Sequence, residues 1–187
     1  METVAGDPQV EGGQVKSLKA FLWFLLPFTL TVLVLPAFLS ANADKVSRVV
    51  DGDTLEIRKG SSKTTIRLVG IDAPETSKAK REPGQPYSQT ATKHLAGLVL
   101  NKTVSVKEYG RDRYGRILGV VILNGTDINL EMVKSGLAEV YRGAPAPGFK
   151  NEPYLKAEED ARRAGKGMWS LGGKYVSPRE WRRMQKN

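Results

Sequence analysis

The sequence predicts an α+β domain: a small antiparallel barrel with helices packed around it. Three observations carry that class. Residues 45–71 and 102–123 alternate apolar and polar side chains between glycine-bearing turns, which is the pattern of hairpins. Residues 87–100, 128–140 and 154–166 switch to helical spacing. Strands dominate the first half and helices are interleaved late, with no internal repeat, an order that belongs to α+β domains.

In chain order, Lys45 to Arg58 reads as two extended pieces hinged at Asp51-Gly52, with Val46, Val49 and Val50 before the turn and Leu55 and Ile57 after it. Lys59-Gly60-Ser61-Ser62 is a turn, and Thr64 to Ile71 is the next strand. Ser77 to Pro86 is polar, basic and broken by Pro83 and Pro86, which predicts a mobile surface loop. Tyr87 to Leu100 fits a helix with Ala91, His94, Leu95 and Leu98 on one face. Lys102 to Lys107 and Ile117 to Leu123 are strands joined through a glycine-bounded loop, and Asn124-Gly125 is a tight turn. Ile128 to Val140 gives a second helix with Leu130, Val133 and Leu137 inward, and Tyr154 to Lys166 a third, ended by Gly167.

Residues 1–43 are set apart from this domain. Residues 20–39 carry no charge, follow Lys16 and Lys19, and precede the small-residue run Ala41-Asn42-Ala43, the layout of a secretory signal. About 20 apolar residues also suffice for a transmembrane anchor. Pro27 and Pro36 interrupt the run and favour cleavage after Ala43. Either way the domain is expected outside the cytoplasm, secreted or periplasmic, or anchored to the membrane through 20–39 if that segment stays uncleaved. The remainder divides into a domain over 44–176 and a basic tail over 177–187, and is expected to be a monomer.

Composition narrows the chemistry. The chain has 29 Lys and Arg against 20 Asp and Glu. Two of those lysines and three of those acids lie in 1–43, so residues 44–187 carry 27 against 17, a net charge of +10. Such a domain attracts polyanions. With no cysteine, thiolate chemistry and sulfur metal sites are excluded, and the single His94 excludes a histidine zinc cluster.

Three short motifs carry the remaining chemistry: Val50-Asp51-Gly52-Asp53-Thr54, Ile66-Arg67-Leu68-Val69-Gly70-Ile71-Asp72-Ala73-Pro74-Glu75-Thr76, and Asp112-Arg113-Tyr114-Gly115-Arg116. Asp53 shares parity with Leu55 and Ile57, so it ends an inward row near the barrel mouth, and Asp72 follows directly on an apolar strand. Two carboxylates gathered there repel unless a cation joins them, and all-oxygen ligands favour Ca²⁺ or Mg²⁺. The plainer readings are a turn role for Asp53 and a helix cap for Asp72-Ala73-Pro74-Glu75. The capping reading is weakened because residues 78–86 lack helical periodicity. Arg67 lies an odd number of positions before Asp72, which strict alternation puts on opposite faces; a bulge at Gly70 would restore the phase.

These motifs, with Val133-Lys134-Ser135-Gly136-Leu137-Ala138 and Gly167-Met168-Trp169-Ser170, resemble the thermonuclease (staphylococcal nuclease-like) family over most of the chain from Asp44 to Trp169. The resemblance implies a five-stranded OB-type barrel with three helices. It also implies a Ca²⁺-dependent endonuclease acting on DNA and RNA, leaving 3′-phosphate and 5′-hydroxyl ends. The family's metal ligands fall on Asp53 and Asp72, with the main-chain carbonyl of Ala73; its catalytic residues fall on Arg67, Glu75 and Arg116. Arg113 and Tyr114 match positions that grip a terminal phosphate, and Tyr141 lies near a nucleotide-stacking position. Lys78, Lys80 and Arg81 could track a backbone, and Trp169 reads as a packing anchor. The tail with Arg179, Trp181, Arg182, Arg183 and Lys186 is not explained by the family core. A noncatalytic OB-type nucleic-acid-binding module is the alternative, distinguished by loss of some of Asp53, Arg67, Asp72, Glu75 and Arg116; all five are present.

Overall fold

The computed structural model describes residues 44–77 and 83–186. The apolar segment 20–39 and the basic loop residues Lys78, Lys80 and Arg81 lie outside the described residues. Strands β1 (Asp44–Asp51), β2 (Thr54–Lys59) and β3 (Ser62–Leu68) form a continuous antiparallel meander. After the two-residue strand β4 (Ile71–Asp72) and helix α1 (Ser88–Val99), β5 (Thr103–Arg111) pairs with β1, and β6 (Ile117–Leu123) pairs with β5. The sheet closes when β3 meets β6.

Five strands therefore make a closed barrel, as the sequence predicts, but the closing β3–β6 pair is parallel, with Ile66 opposite Ile117 and Leu68 opposite Gly119. The reason is parity. Strands that alternate in direction around a ring of odd number must leave one neighbouring pair running the same way. The barrel is consequently mixed, with its other four pairings antiparallel.

Alternation along the strands fills the interior with Val46, Leu55, Ile66, Leu68 and Val121, all fully buried. Helix α1 packs Ala91, Leu95 and Val99 onto this core; His94 on the same helix is only half-buried. Burying such side chains contributes about 1.5–3 kcal/mol each, the main favourable term for a domain without disulfides.

The second helix is shorter than its periodicity predicts. Following the two-residue strand β7 (Thr126–Asp127), α2 runs only over Ile128–Lys134. Gly136 takes φ +68°, the Gly136 N–H donates to Val133 O at 2.9 Å and the Leu137 N–H to Met132 O at 3.0 Å. Those paired bonds are a Schellman stop, which the left-handed glycine makes possible. A Cβ at Gly136 would lie 2.2 Å from Lys166 O, so the stop is also where the chain following α3 (Glu152–Arg163) crosses. Leu137 and Val133 are buried as expected, Leu130 only partly, and Met132 joins them in the core. The released residues form β8 (Glu139–Val140), which pairs with β4 and sets Asp72 opposite Glu139.

Helix α3 begins two residues before the predicted start and ends at Arg163. Beyond it a kinked 3-10 segment (Gly167–Lys174) leads to a fourth helix, α4 (Pro178–Met184), within the predicted tail. Among the described residues no helix is long and apolar enough to cross a membrane.

One buried polar residue ties these layers together. Asn129 on α2 accepts from the Val121 N–H at 3.1 Å and donates to the carbonyls of Val69 and Gly119, both at 3.0 Å. It thereby locks the helix to β6 and to the turn that carries the chain into β4. Replacing Asn129 with alanine strands the Val121 N–H and the Val69 carbonyl, each costing about 1–3 kcal/mol when unsatisfied, whereas Gly119 O keeps the Val69 N–H at 3.0 Å. Asn129→Ala should lower unfolding stability by about 2 kcal/mol or more, read as a lower denaturation midpoint with an unchanged m-value. A loss under about 0.5 kcal/mol would show that these groups find other partners.

Candidate active site

The site is assembled at one mouth of the barrel from the ends of β1, β2 and β3, the β4 segment, the β5–β6 loop and α4. A cleft of about 910 Å³ opens there, lined among others by Asp51, Asp53, Arg67, Glu75, Arg116 and Arg182. Asp53 sits where the inward row of β2 begins and is 6% exposed. Its Oδ2 accepts from the Ala73 N–H at 2.7 Å and its Oδ1 from the Thr54 hydroxyl at 3.1 Å. The first of these bonds fastens the β1–β2 turn to the residue after Asp72.

Arg67 and Asp72 do meet, although not through a bulge. Strand β3 stops at Leu68, and Val69-Gly70 turn the chain before β4 begins. Gly70 has φ +79°, and a Cβ there would lie 2.2 Å from the Phe149 ring. The turn resets the phase, so Arg67 Nη2 donates to Asp72 Oδ1 at 2.9 Å while Arg67 Nη1 presses on Asp53 Oδ1. One guanidinium bridges two carboxylates. Burial pulls the Arg67 guanidinium below its ordinary value, opposed by the charges of Asp72 and Asp51. Asp51, which was not singled out from sequence, is pushed upward by burial against the opposing pull of Arg67, and its Oδ1 caps the Asp53 N–H at 3.1 Å. Glu139, across the β4–β8 pair from Asp72, is likewise raised by burial despite the hydrogen bond it accepts from Tyr175.

Glu75 lies beyond β4 on a segment with no helix, so the capping interpretation of Asp72-Ala73-Pro74-Glu75 does not apply. The segment is held instead by Gln85, a buried side chain inside the Gly84-Gln85-Pro86 turn. Gln85 Oε1 accepts from the Glu75 N–H at 3.0 Å, and the Gln85 N–H donates to Glu75 O at 2.9 Å. Its Nε2 donates to Val176 O at 2.7 Å, joining the Glu75 loop to the start of α4.

The β5–β6 loop is organised by Asp112. Its Oδ1 accepts from the N–H groups of Tyr114 and Arg116, and its Oδ2 from Arg116 Nε at 2.7 Å. Burial works to raise the Asp112 carboxyl, but these hydrogen bonds hold it below its usual range. Arg116 is thus aimed by a carboxylate on its own loop, and its charge is felt at both Asp51 and Arg67. Arg113 stacks on the Tyr114 ring at 4.8 Å and donates to its hydroxyl; Tyr114 is 68% exposed. Tyr141, which follows β8, is exposed and lines the same cleft. Trp169 is a packing residue, with Arg162 3.7 Å over its ring and Tyr175 4.5 Å away.

Arg182, on α4, also enters the cleft. Its Nη1 donates to Asp72 Oδ1 at 3.0 Å and to Glu75 Oε1 at 2.5 Å, and its Nη2 to Asp72 Oδ2 at 2.7 Å. Hydrogen bonding from Asp72 and then Glu75 holds this guanidinium still more firmly in its charged form, against partial burial. No local motif marked Arg182, because it reaches Asp72 over a separation of 110 residues.

The family model described as staphylococcal nuclease homologue matches residues 65–171. An uncharacterized endonuclease of Haemophilus influenzae is 39% identical over 147 residues, covering 78% of this chain and 75% of the relative. An uncharacterized endonuclease of Escherichia coli is 36% identical over 159 residues, covering 84% of this chain and 95% of the relative. A probable endonuclease of the fungus Paracoccidioides lutzii is 40% identical over 130 residues, covering 63% of this chain but 37% of that longer protein. The matched stretch takes in Arg67, Asp72, Glu75 and Arg116 on their barrel, and the chain belongs to the staphylococcal nuclease homologue family.

Proposed function

We propose that this protein is a metal-dependent endonuclease that hydrolyses phosphodiester bonds of DNA and RNA, with Ca²⁺ as its cofactor, leaving 3′-phosphate and 5′-hydroxyl ends. Nuclease chemistry follows from family membership and accords with relatives named endonucleases. One observation supports the finer reading: Asp53, Arg67, Glu75 and Arg116, scattered over 64 positions of sequence, line one open cleft, and Asp72 is bonded to two of its arginines.

The donor set fits a hard cation. Asp53 and Asp72 are buried acids whose segments are joined by the Asp53–Ala73 bond, and every candidate ligand is oxygen, including the Ala73 carbonyl. Among the described residues no group of three His, Asp or Glu side chains is placed to hold a metal ion, so an ion here would rest on two carboxylates, Asp53 and Asp72, with the Ala73 carbonyl and water completing its shell. When bound, the cation supplies Lewis-acid stabilisation of phosphoryl charge.

The chain's own residues supply the rest. Arg67 and Arg116 donate hydrogen bonds to the non-bridging phosphate oxygens, where negative charge grows in the transition state. Glu75 orients the attacking water or takes its proton; with His94 on α1 and absent from the cleft lining, it is the available base. The phosphorus–oxygen bond to the 5′ carbon breaks as the water oxygen joins phosphorus. Tyr114 with its stacked Arg113, and Tyr141 in the same cleft, offer flat surfaces and charge to the nucleotide beside the scissile bond. Export, or membrane anchoring through 20–39 if that segment stays uncleaved, would put this activity outside the cytoplasm.

Three outcomes test this reading. The purified protein should cleave single- and double-stranded DNA and RNA with Ca²⁺ and stop with chelator; undiminished cleavage in chelator rejects the metal. Glu75→Gln should lower kcat by about 10²–10⁴-fold. Arg116→Ala should lower it by about 10²–10³-fold while leaving thermal stability nearly unchanged, because Arg116 is bound only to its own loop. Full activity in either variant removes the assigned role, and tight nucleic-acid binding without cleavage under any metal would establish a noncatalytic OB-type module instead.

A further inference from the structure

Arg182 lies outside residues 65–171, the stretch that matches the family model, yet it makes three hydrogen bonds to the carboxylates at the centre of the cleft. Asp72 has its side chain 3% exposed and accepts from Arg182 through both oxygens, with Arg67 already on Oδ1. The acceptor directions that a cation would use on Asp72 are thus largely taken by a guanidinium. The same guanidinium holds Glu75 Oε1, the group expected to face the attacking water.

The placement of Arg182 is built into the fold. Val176 is pinned by Gln85, whose other bonds hold the backbone of Glu75. Tyr175 packs on Trp169 and donates its hydroxyl to Glu139, the residue opposite Asp72. Ser177 and Glu180 form a reciprocal capping box that starts α4, and Pro178 is buried. Four anchors upstream of Arg182 therefore fix the helix that delivers it.

We propose that Arg182 is a tethered counter-ion of the metal-binding carboxylates: it occupies Asp72 and Glu75 while no divalent cation is bound and must withdraw for the cation to bind. Through it, the C-terminal helix sets the metal affinity of the site. This inference rests on the reading of Asp53 and Asp72 as metal ligands. The physical basis is exclusion: a divalent ion on Asp72 would share that carboxylate with a guanidinium, and the two positive charges repel at contact distance. Linkage makes the effect reciprocal, so whatever factor Arg182 takes from metal affinity, metal takes from the hold of Arg182.

The test is Ca²⁺ binding to the full-length protein by titration calorimetry, without nucleic acid. Arg182→Gln should bind Ca²⁺ about tenfold more tightly than the parent. Arg182→Lys keeps the charge but replaces the planar fork with a shorter point-charge ammonium, and should gain about threefold; it serves if the glutamine variant does not fold. Arg183→Gln removes an equal charge from the next position on α4, whose side chain has no bond to Asp72 or Glu75, and should stay within about twofold of the parent. Unchanged or weaker binding in both Arg182 variants overturns the proposal, as does an equal gain in Arg183→Gln, which would reduce the effect to general charge. If neither the parent nor any variant binds a divalent cation, the metal reading itself fails and this inference falls with it, an outcome distinct from binding that ignores Arg182.

Discussion

The structure turns on the burial of Arg67 between two acids. A guanidinium with 15% of its side chain exposed touches Asp53 and Asp72, whose own side chains are 9% and 3% exposed. Removing any one of the three would leave charge in a poorly hydrated place, at a cost of about 3–5 kcal/mol. Each part of the fold that brings them together is therefore constrained. The β2–β3 ladder sets Arg67 opposite Thr54, the neighbour of Asp53, and the Leu68 N–H donates to Asp53 O at 2.8 Å. Asn129 holds the Val69 turn, and β8 holds Asp72 in its short ladder. Barrel closure, helix α2 and the Schellman stop at Gly136 are all upstream of one charge arrangement.

Much of this was legible in the sequence, for a physical reason: the barrel strands are half-buried, and half-burial writes itself as alternation. Parity placed Asp53 at the end of the Leu55–Ile57 row, and the acid is indeed buried there. Alternation failed between Arg67 and Asp72 because the chain turns at Gly70, and parity carries no information across a turn. The second helix was overextended because Leu137 keeps helical spacing with Val133 even though it is buried after the Schellman stop. Gly136 was visible, but glycine within a periodic run does not declare a left-handed φ.

What the sequence concealed shares one character: long-range contacts by residues in segments that look polar and irregular. Gln85 lies in a Pro-bounded stretch that reads as a surface loop, yet it is 4% exposed and clamps the Glu75 segment to Val176, which lies 91 positions beyond Gln85 itself. Arg182 lies in a run of arginines that composition alone assigns to general attraction for polyanions. A charge becomes specific only when its partners are fixed in three dimensions, and those partners are set by the barrel.

The charges at the mouth explain why one site needs so many arginines. Asp53, Asp72 and Glu75 bring three negative charges, and Arg67 and Arg182 return two, leaving the docked site one charge short of neutrality. That residual charge is unfavourable to an incoming phosphodiester, which is itself an anion. On the proposed exchange, a divalent cation in place of Arg182 would make the same cluster neutral and free Glu75. Arg116, held by Asp112, and the stacked Arg113 line the same cleft. Arginine suits the docked state better than lysine because its planar fork satisfies two carboxylates at once, whereas an ammonium offers a point charge. The same fork, once released, is suited to the oxygens of a phosphate. On that proposal, acids neutralised only when the cation is bound would couple metal loading to substrate entry through electrostatics.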